Sequence, residues 1–325
     1  MDRSVRIITA DPDPRAAGHW LGDKACIIPM ASDRKFVPAV RRIASSEGIH
    51  VILVGTDVEL GMFARHRADI ESEKTHVVVS SPEVVAIAND KWLTAEFLRS
   101  RDFPYPASSL ARDESSCRRL AEEYGFPLFA KPRCGARSVG ARTIRNLAEL
   151  SLLCEPNSDL VVQEYLVEDE GEFTAGCLGD DNGYVEGIVV LRRDLRDGNT
   201  YRAYHDGTDR YEEFIRGVAT ALGVRGPCNF QFRVRHGKPV VFEINARFSG
   251  TTPLRALFGF NEVEAMLEHV FTGKPIHRPS LRPGVVLRAW SDAFIATDQL
   301  EQLGREQTLD SPRAEFFPFA PQRQG

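Results

Sequence analysis

The sequence predicts a mixed α/β and α+β protein, on three observations. Short β-rich runs alternate with helical ones between residues 5 and 89; two strands of period two lie at 228–233 and 240–247; and the composition is that of an ordinary folded chain, 42% hydrophobic and 27% charged. A length of 325 residues, at roughly 150 per domain, gives about two domains and enough chain for a substantial core. The 41 Lys+Arg against 46 Asp+Glu leave a net charge of −5, so no overall positive field exists to hold nucleic acid or an anionic membrane, and neither is an expected partner. The longest apolar stretches, such as 51–54 and 84–88, fall far short of the ~18 residues of a membrane span.

The elements follow in order. Strands at 5–10, 50–55 and 77–80 alternate with helices at 36–45 and 59–66, the rhythm of a parallel sheet whose ligands gather at the strands' carboxyl ends, around Asp11 and around Thr56, Asp57 and Glu59. These acids serve equally well as helix caps or turn residues. A helix opens at Asn89 or Asp90, carries Leu93 and Phe97 on one face, and ends near Ser100 ahead of a linker marked by Pro104 and Pro106. Asp113 caps the next helix, with Leu120 and Tyr124 inward and Gly125 stopping it. A strand at 127–132, a loop holding Gly135 and Gly140, a short helix at 147–153 and a strand at 160–165 come next. From about Leu166 a larger α+β unit is expected, with strands at 172–178 and 184–191. Its first helix carries Tyr211, Phe214, Ile215, Val218 and Leu222 and stops at Gly223. After a hairpin over 229–245, a second helix is capped by Asn261 and Glu264, with Val263, Met266, Leu267, Val270 and Phe271 inward. The last strand is placed at 285–290, and the tail beyond Asp310 reads as poorly ordered.

Residues 5–10 are broken at once by Asp11-Pro12-Asp13-Pro14 and form no signal-peptide core, so a cytoplasmic location is expected. The six cysteines contain no Cys-x-x-Cys pair, and the eight histidines show no His-Glu-x-x-His spacing; reduced, mostly buried thiols are the expectation.

The hairpin carries the most chemistry. Asn229, Gln231 and Arg233 share one face of its first strand, and Val241, Glu243, Asn245 and Arg247 share one face of its second. With His236-Gly237-Lys238 as a three-residue loop, Gln231 faces Glu243 and Asn229 faces Asn245, with Cβ atoms about 4.5–5.5 Å apart. One carboxylate and two amide oxygens then surround a hard cation of the kind that binds nucleotide phosphates. A solvated strand face is the ordinary alternative, but such faces favour Lys, Glu and Thr over this set.

A second cluster runs from Phe129 to Gly140, in which a strand delivers Lys131 and two glycines allow close backbone approach to phosphate oxygens. Its Gly135-to-Gly140 spacing imitates a Walker A loop, but Ala141-Arg142 replaces Lys-Ser/Thr, and a plain turn has the same appearance. Lys91 sits in the first turn of its helix, where a cation opposes the macrodipole by ~0.3–1 kcal/mol; an anion nearby would explain it, as would simple exposure.

Together these motifs resemble the ATP-grasp superfamily, particularly its carbamoyl-phosphate-synthetase-like branch, over nearly the whole chain. The resemblance rests on Asn89-Asp90-Lys91, the loop from Lys131 to Gly140, Val162-Gln163-Glu164-Tyr165-Leu166, Gly171-Glu172-Phe173-Thr174, Asn229-Phe230-Gln231, and Phe242-Glu243-Ile244-Asn245-Ala246-Arg247. It implies an ATP-grasp fold with a shortened N-terminal parallel α/β domain over 1–88, a small subdomain with the phosphate-binding loop over 89–165, and a large subdomain with the metal site over 166–325. Members usually begin with a strand and glycine-containing turn ahead of the strand that here starts at Val5, so the first β-α unit is expected to be missing, which bears on the acceptor end of the site.

The resemblance further implies ATP and Mg²⁺, with Mn²⁺ as a substitute. Lys91, Lys131, Gly135, Ser138 and Gly140 would meet phosphates, and Gln163, Glu164 and Leu166 would line the adenine site, the last two through backbone groups. Glu172 would hold the ribose. Gln231, Glu243 and Asn245 would ligate metal, and Arg247 would stabilise the transferred phosphoryl group, with Arg192 or Arg193 as a further cation. The implied activity is phosphorylation of a small-molecule carboxylate to an acylphosphate and its capture by an amine, releasing ADP and phosphate, by a protein that is a homodimer in the family pattern. The alternatives are an inactive nucleotide-binding protein, against which the intact metal and arginine positions argue, and carboxylation or hydroxyl phosphorylation on the same fold. Arg255 and Glu59 are candidate substrate contacts or ordinary ion-pair residues.

Overall fold

The structure is a computed structural model that describes residues 5–135, 139–167, 171–289 and 291–317. The chain forms two compact units.

Among the described residues, the first unit groups 5–50 and 68–75 with 288–289 and 291–317. Strand Ile8–Asp11 runs parallel to Lys24–Ile27, and Thr308–Asp310 adds to the latter antiparallel, with Thr308 opposite Cys26. Trp20, Ala25, Leu303 and Leu309 form the core there. Helix Phe36–Ser46 buries Phe36, Val40 and Ala44, spaced four apart on one stripe. Four features depart from the expected layout. Strand Lys24–Ile27 and helix Thr297–Glu306 are additional, and the 166–325 grouping is corrected because Thr308–Asp310 completes the N-terminal sheet. The segment 311–317 is not shapeless: Glu315–Phe317 pairs with Asp292–Phe294.

The second unit comprises 51–67 and 76–287, so residues 51–67 and 76–88 belong with this unit and not with a separate 1–88 domain. Strands Val51–Leu53 and His76–Val78 are parallel. Helix Pro82–Asn89 is capped by Ser81, whose hydroxyl accepts from the Val84 N–H, and Lys91–Ser100 is capped by Asp90. An antiparallel four-stranded sheet follows in the order Ser108–Leu110, Leu160–Glu164, Leu128–Pro132, Arg142–Ile144. Helix Glu114–Tyr124 packs beside it through Cys117 and Leu120; Tyr124, expected inward, is exposed.

The six-stranded antiparallel sheet has the order Lys238–Asn245, Gly226–Arg235, Glu172–Gly179, Val185–Arg196, Asn199–His205, Gly284–Leu287. Its two faces are read by alternation. Phe173, Ala175, Phe230 and Phe232 fall on one, where Phe173 stacks on Phe232 at 5.1 Å, and helix Glu212–Leu222 packs against Val185–Arg196 and Glu172–Gly179. The other face is polar at one end, with Glu172, Thr174, Gln231 and Arg193. It becomes apolar at the other, where Leu178, Val189 and Leu191 meet Leu254, Phe258 and Met266. Strand Asn199–His205 was outside the expected set, although its turn, Asp197-Gly198, has both residues in the left-handed region as a type I′ hairpin requires. Helix Glu262–Thr272 buries Glu262 and Met266, while the expected inward Phe271 is exposed; likewise Leu93 of helix Lys91–Ser100 is exposed and Thr94, Ala95, Phe97 and Leu98 are buried. Among the described residues no helix is long and apolar enough to cross a membrane.

Candidate functional site

The hairpin reaches the expected pairing by a different route. The turn has two residues, His236 and Gly237, both at positive φ, and Arg235 pairs with Lys238. A bulge at Phe242 then shifts the register by one, so that Gln231 faces Glu243 and Asn229 faces Asn245. The bulge also leaves Phe242 without an opposite residue, and its carbonyl accepts from Lys131 Nζ at 3.1 Å. One irregularity thus sets Gln231 opposite Glu243 and Asn229 opposite Asn245, and seats the strand lysine.

Gln231 and Asn245 converge on a single atom. Gln231 Nε2 donates to Glu243 Oε1 at 2.9 Å and Asn245 Nδ2 donates to the same oxygen at 3.1 Å. Rotation of each amide about its last torsion exchanges nitrogen for oxygen, so the donor set fits a hard cation once the amides turn and Gln231 Oε1 and Asn245 Oδ1 give up the bonds they accept from Arg193 and Arg247. Among the described residues no group of three or more His, Cys, Asp or Glu could hold a metal ion, which leaves one carboxylate with amides as the donor set here. Asn229 stands apart: it accepts from Thr174 Oγ1 at 2.9 Å and from Arg255 Nη1 at 3.3 Å.

A cavity of about 260 Å³ opens beside this point, lined by Lys91, Lys131, Gly135, Glu164, Leu166, Glu172, Arg193, Gln231, Arg233 and Glu243 among others. Four cations, Lys91, Lys131, Arg193 and Arg233, face two carboxylates, Glu172 and Glu243, once Glu164 is set aside as the partner of Arg235. The imbalance favours an anionic ligand. Burial pushes the Lys131 ammonium down to about 8, against the opposing pull of Glu243. Lys91 Nζ donates to the Gly135 carbonyl at 2.8 Å and to that of Arg133 at 3.4 Å, so the helix-start lysine faces the loop instead of standing exposed. Gly135 and Gly140 both have positive φ, and a Cβ on Gly140 would come within 3.0 Å of Pro132. Ser138 lies outside the described residues.

At the other end, Gln163 is buried and donates to Ser108 Oγ at 2.7 Å. The Glu164 N–H donates to the Ala107 carbonyl and its carboxylate accepts from the Ala107 N–H at 2.8 Å, which ties the strand end down. The Leu166 carbonyl accepts from Arg233. Glu172 is 6% exposed, and each of its oxygens takes two guanidinium N–H donors, Oε1 from Arg193 and Oε2 from Arg233. Those four bonds fill the lone-pair sites of a carboxylate, so a ribose role for Glu172 requires one guanidinium to move. Arg193 also donates to Gln231 Oε1.

Arg192 does not enter the site. It lies on the opposite face of its strand, with its guanidinium 4.0 Å from the centre of the Tyr204 ring and 3.7 Å from Asp194. Strand alternation turns Arg193 inward in its place. Arg255 takes the ion-pair role: at 1% exposed it pairs with Glu262 through Nε–Oε1 at 2.7 Å and Nη2–Oε2 at 3.0 Å, and Gly176 makes room, since a Cβ there would lie 2.1 Å from Glu262. Arg247 is gripped by Asp57, with Nε–Oδ1 at 2.6 Å and Nη2–Oδ2 at 2.5 Å, and donates from Nη1 to the Phe248 carbonyl. Asp57 opens helix Asp57–Arg65 just past a strand end, where acids were expected to meet a ligand or cap a helix.

Residues 156–293 match the family model "ATP-grasp in the biosynthetic pathway with Ter operon", and residues 1–78 match "PylC-like, N-terminal domain". The carbamoyl phosphate synthase large chain of Deinococcus radiodurans is 27% identical over 286 residues, covering 81% of this chain and 25% of that one. That of Pseudothermotoga lettingae is 22% identical over 264 residues, covering 77% and 23%. The chain thus spans about a quarter of the length of these curated relatives. Among solved structures, the Staphylococcus aureus N5-carboxyaminoimidazole synthetase complexed with ADP superposes with a TM-score of 0.71 at 15% identity, over 93% of this chain and 79% of that one. The Campylobacter jejuni biotin carboxylase in its β-γ-ATP complex gives 0.68 at 18% identity, over 86% and 68%. The biotin carboxylase domain of Hydrogenobacter thermophilus 2-oxoglutarate carboxylase, a dimer in complex with MgADP, ADP and bicarbonate, gives 0.68 at 16%, over 98% and 81%.

Proposed function

We propose that the chain is an ATP-grasp protein, an ATP- and Mg²⁺-dependent ligase that phosphorylates a small-molecule carboxylate to an acylphosphate and joins it to an amine, releasing ADP and phosphate. One observation carries this reading: Gln231 and Asn245 meet Glu243 at a single oxygen, on the wall of a cavity with surplus positive charge.

In this reading Gln231, Glu243 and Asn245 hold Mg²⁺, or Mn²⁺ in its place, through oxygen atoms. The bound ion supplies charge neutralisation at the phosphate oxygens. Lys91 and Lys131 take phosphate oxygens, with the Gly135 and Gly140 backbone close by. The Glu164 carbonyl and Leu166 N–H hold adenine, Gln163 supports that strand end, and Glu172 holds ribose hydroxyls after releasing one arginine. Of the two arginines considered, Arg193 supplies the further cation, and Arg247, oriented by Asp57, stabilises the transferred phosphoryl group. Phosphoryl transfer asks for alignment and charge neutralisation and needs no protein nucleophile. A cytoplasmic protein, a homodimer and a division of the nucleotide site between subdomains on either side of residues 165–166 complete the proposal.

A second reading, carboxylation with bicarbonate as the carboxylate, is favoured by the superposed structures, which include a biotin carboxylase and a biotin carboxylase domain in complex with bicarbonate. An ADP-release screen decides between them. Carboxylates, bicarbonate included, are crossed with amines in the presence of Mg²⁺ or of a chelator. The ligase reading expects ADP and phosphate only with a carboxylate, an amine and Mg²⁺ together. Turnover restricted to bicarbonate selects carboxylation, turnover with hydroxyl compounds selects kinase chemistry, and nucleotide binding with no turnover selects an inactive binding module.

A further inference from the structure

Asp90 is involved in more contacts than a helix cap requires. Its Oδ1 accepts the Trp92 and Leu93 N–H groups at 2.9 and 3.3 Å, and its carboxylate also takes the guanidinium of Arg133, with Nε 3.1 Å from Oδ2 and Nη2 bonded to the same oxygen. Arg133 follows the strand that delivers Lys131. Its neighbours Pro132, Cys134 and Gly135 line the cavity, and Arg133 itself does not. The guanidinium therefore reaches back to the helix while the backbone passes along the cavity wall. That backbone is held from the same helix start: the Arg133 carbonyl accepts the Lys91 N–H at 2.9 Å, and the Gly135 carbonyl accepts Lys91 Nζ at 2.8 Å. On the other side the Arg133 N–H donates to the Asp159 carbonyl at 3.0 Å.

We propose that Asp90 is a positioning residue for nucleotide phosphates. By gripping Arg133 it fixes the backbone of residues 133–135 against the start of helix Lys91–Ser100, so that Lys91 and this backbone meet a nucleoside di- or triphosphate as one preassembled surface. The inference rests on the nucleotide reading above and adds to it a residue that touches no ligand. The physical basis is preorganisation: a segment already held in its bound geometry loses less freedom when the ligand arrives.

The test uses calorimetric titration of the full chain with MgATP, MgADP and adenosine, for wild type, Asp90→Asn, Arg133→Met and the double variant. Asparagine keeps a cap oxygen for helix Lys91–Ser100 while the ion pair is lost, so the melting temperature should barely move. Ordering a rotamer-rich side chain on binding costs up to about tenfold in affinity. On that scale each single variant should weaken MgATP and MgADP about tenfold and leave adenosine unchanged, and the double variant should be no worse than either single one. Unchanged MgATP affinity in Asp90→Asn, a parallel loss of adenosine affinity, or additive effects in the double variant would overturn the inference while leaving wild-type nucleotide binding intact. A wild-type chain that binds none of the nucleotides overturns the nucleotide reading and this inference with it.

Discussion

Two buried arginine–glutamate clusters sit on the same face of the six-stranded sheet, and they have opposite characters. Around Arg255 one guanidinium meets one carboxylate, and Ser249, Thr251, Thr252 and Asn229 take up remaining polar capacity; charge is balanced and neither ionic residue lines the cavity. Around Glu172 one carboxylate is shared by two arginines, and all three groups line the cavity. Burial alone therefore does not distinguish structural charge from functional charge. Balance does: the first cluster is complete as it stands, whereas the second carries a surplus cation next to Lys131 and Lys91, which an anionic ligand would offset.

The sharpest contrast comes from stability. Arg255→Met leaves Glu262 buried without its partner and should cost about 3–5 kcal/mol in denaturant unfolding. Arg193→Met should cost less than half of that, since Arg233 still holds Glu172; equal losses would remove the distinction between the clusters. Next in size is Glu243→Gln, expected to lower Mg²⁺-dependent ADP formation by about 100-fold, or about 2.7 kcal/mol, with an unaltered melting temperature. Activity within twofold of wild type would show that Glu243 holds no metal.

How these residues were, or were not, legible follows from the same sheet. Gln231, Glu243 and Asn245 stand out because period-two alternation puts unusual amide and acid residues on one face, yet the three-residue loop assumed for 236–238 is in fact a two-residue turn corrected by a bulge. Two deviations cancelled, and no local signal marks the bulge at Phe242. Arg193 could not be told from Arg192 because the preceding run, Ile188 to Leu191, is apolar at every position, so the inward parity cannot be counted from it. The Asp90 cap was readable from local chemistry, but its grip on Arg133 spans 43 positions and was not. Strands Lys24–Ile27 and Thr308–Asp310 escaped for a similar reason: each is only three or four residues long, and their pairing joins the two ends of the chain.

A further expectation concerns pH. The folded chain holds Lys131 at about 8, below the ordinary lysine value of 10.5, so between these values the unfolded chain binds more protons and this group's contribution to stability rises with pH. Nucleotide affinity runs the other way, because the neutral amine cannot pair with phosphate. From pH 7 to 9 the calorimetric affinity for MgADP should fall about tenfold, with proton uptake on binding. Lys131→Met should abolish that slope. The Arg255 cluster has no part in it, and Arg255→Lys should leave the slope in place.

In the proposed site, one carboxylate and two amides on adjacent strands share a cation with a nucleotide. Crystals grown with Mn²⁺ and ADP test it directly through the anomalous signal of the metal. The expected result is a peak within about 2.0–2.4 Å of oxygen atoms of Gln231, Glu243 and Asn245, with ADP phosphates on its far side. Manganese bound elsewhere, or ADP seated in the cavity with these residues still bonded only to each other, would contradict it.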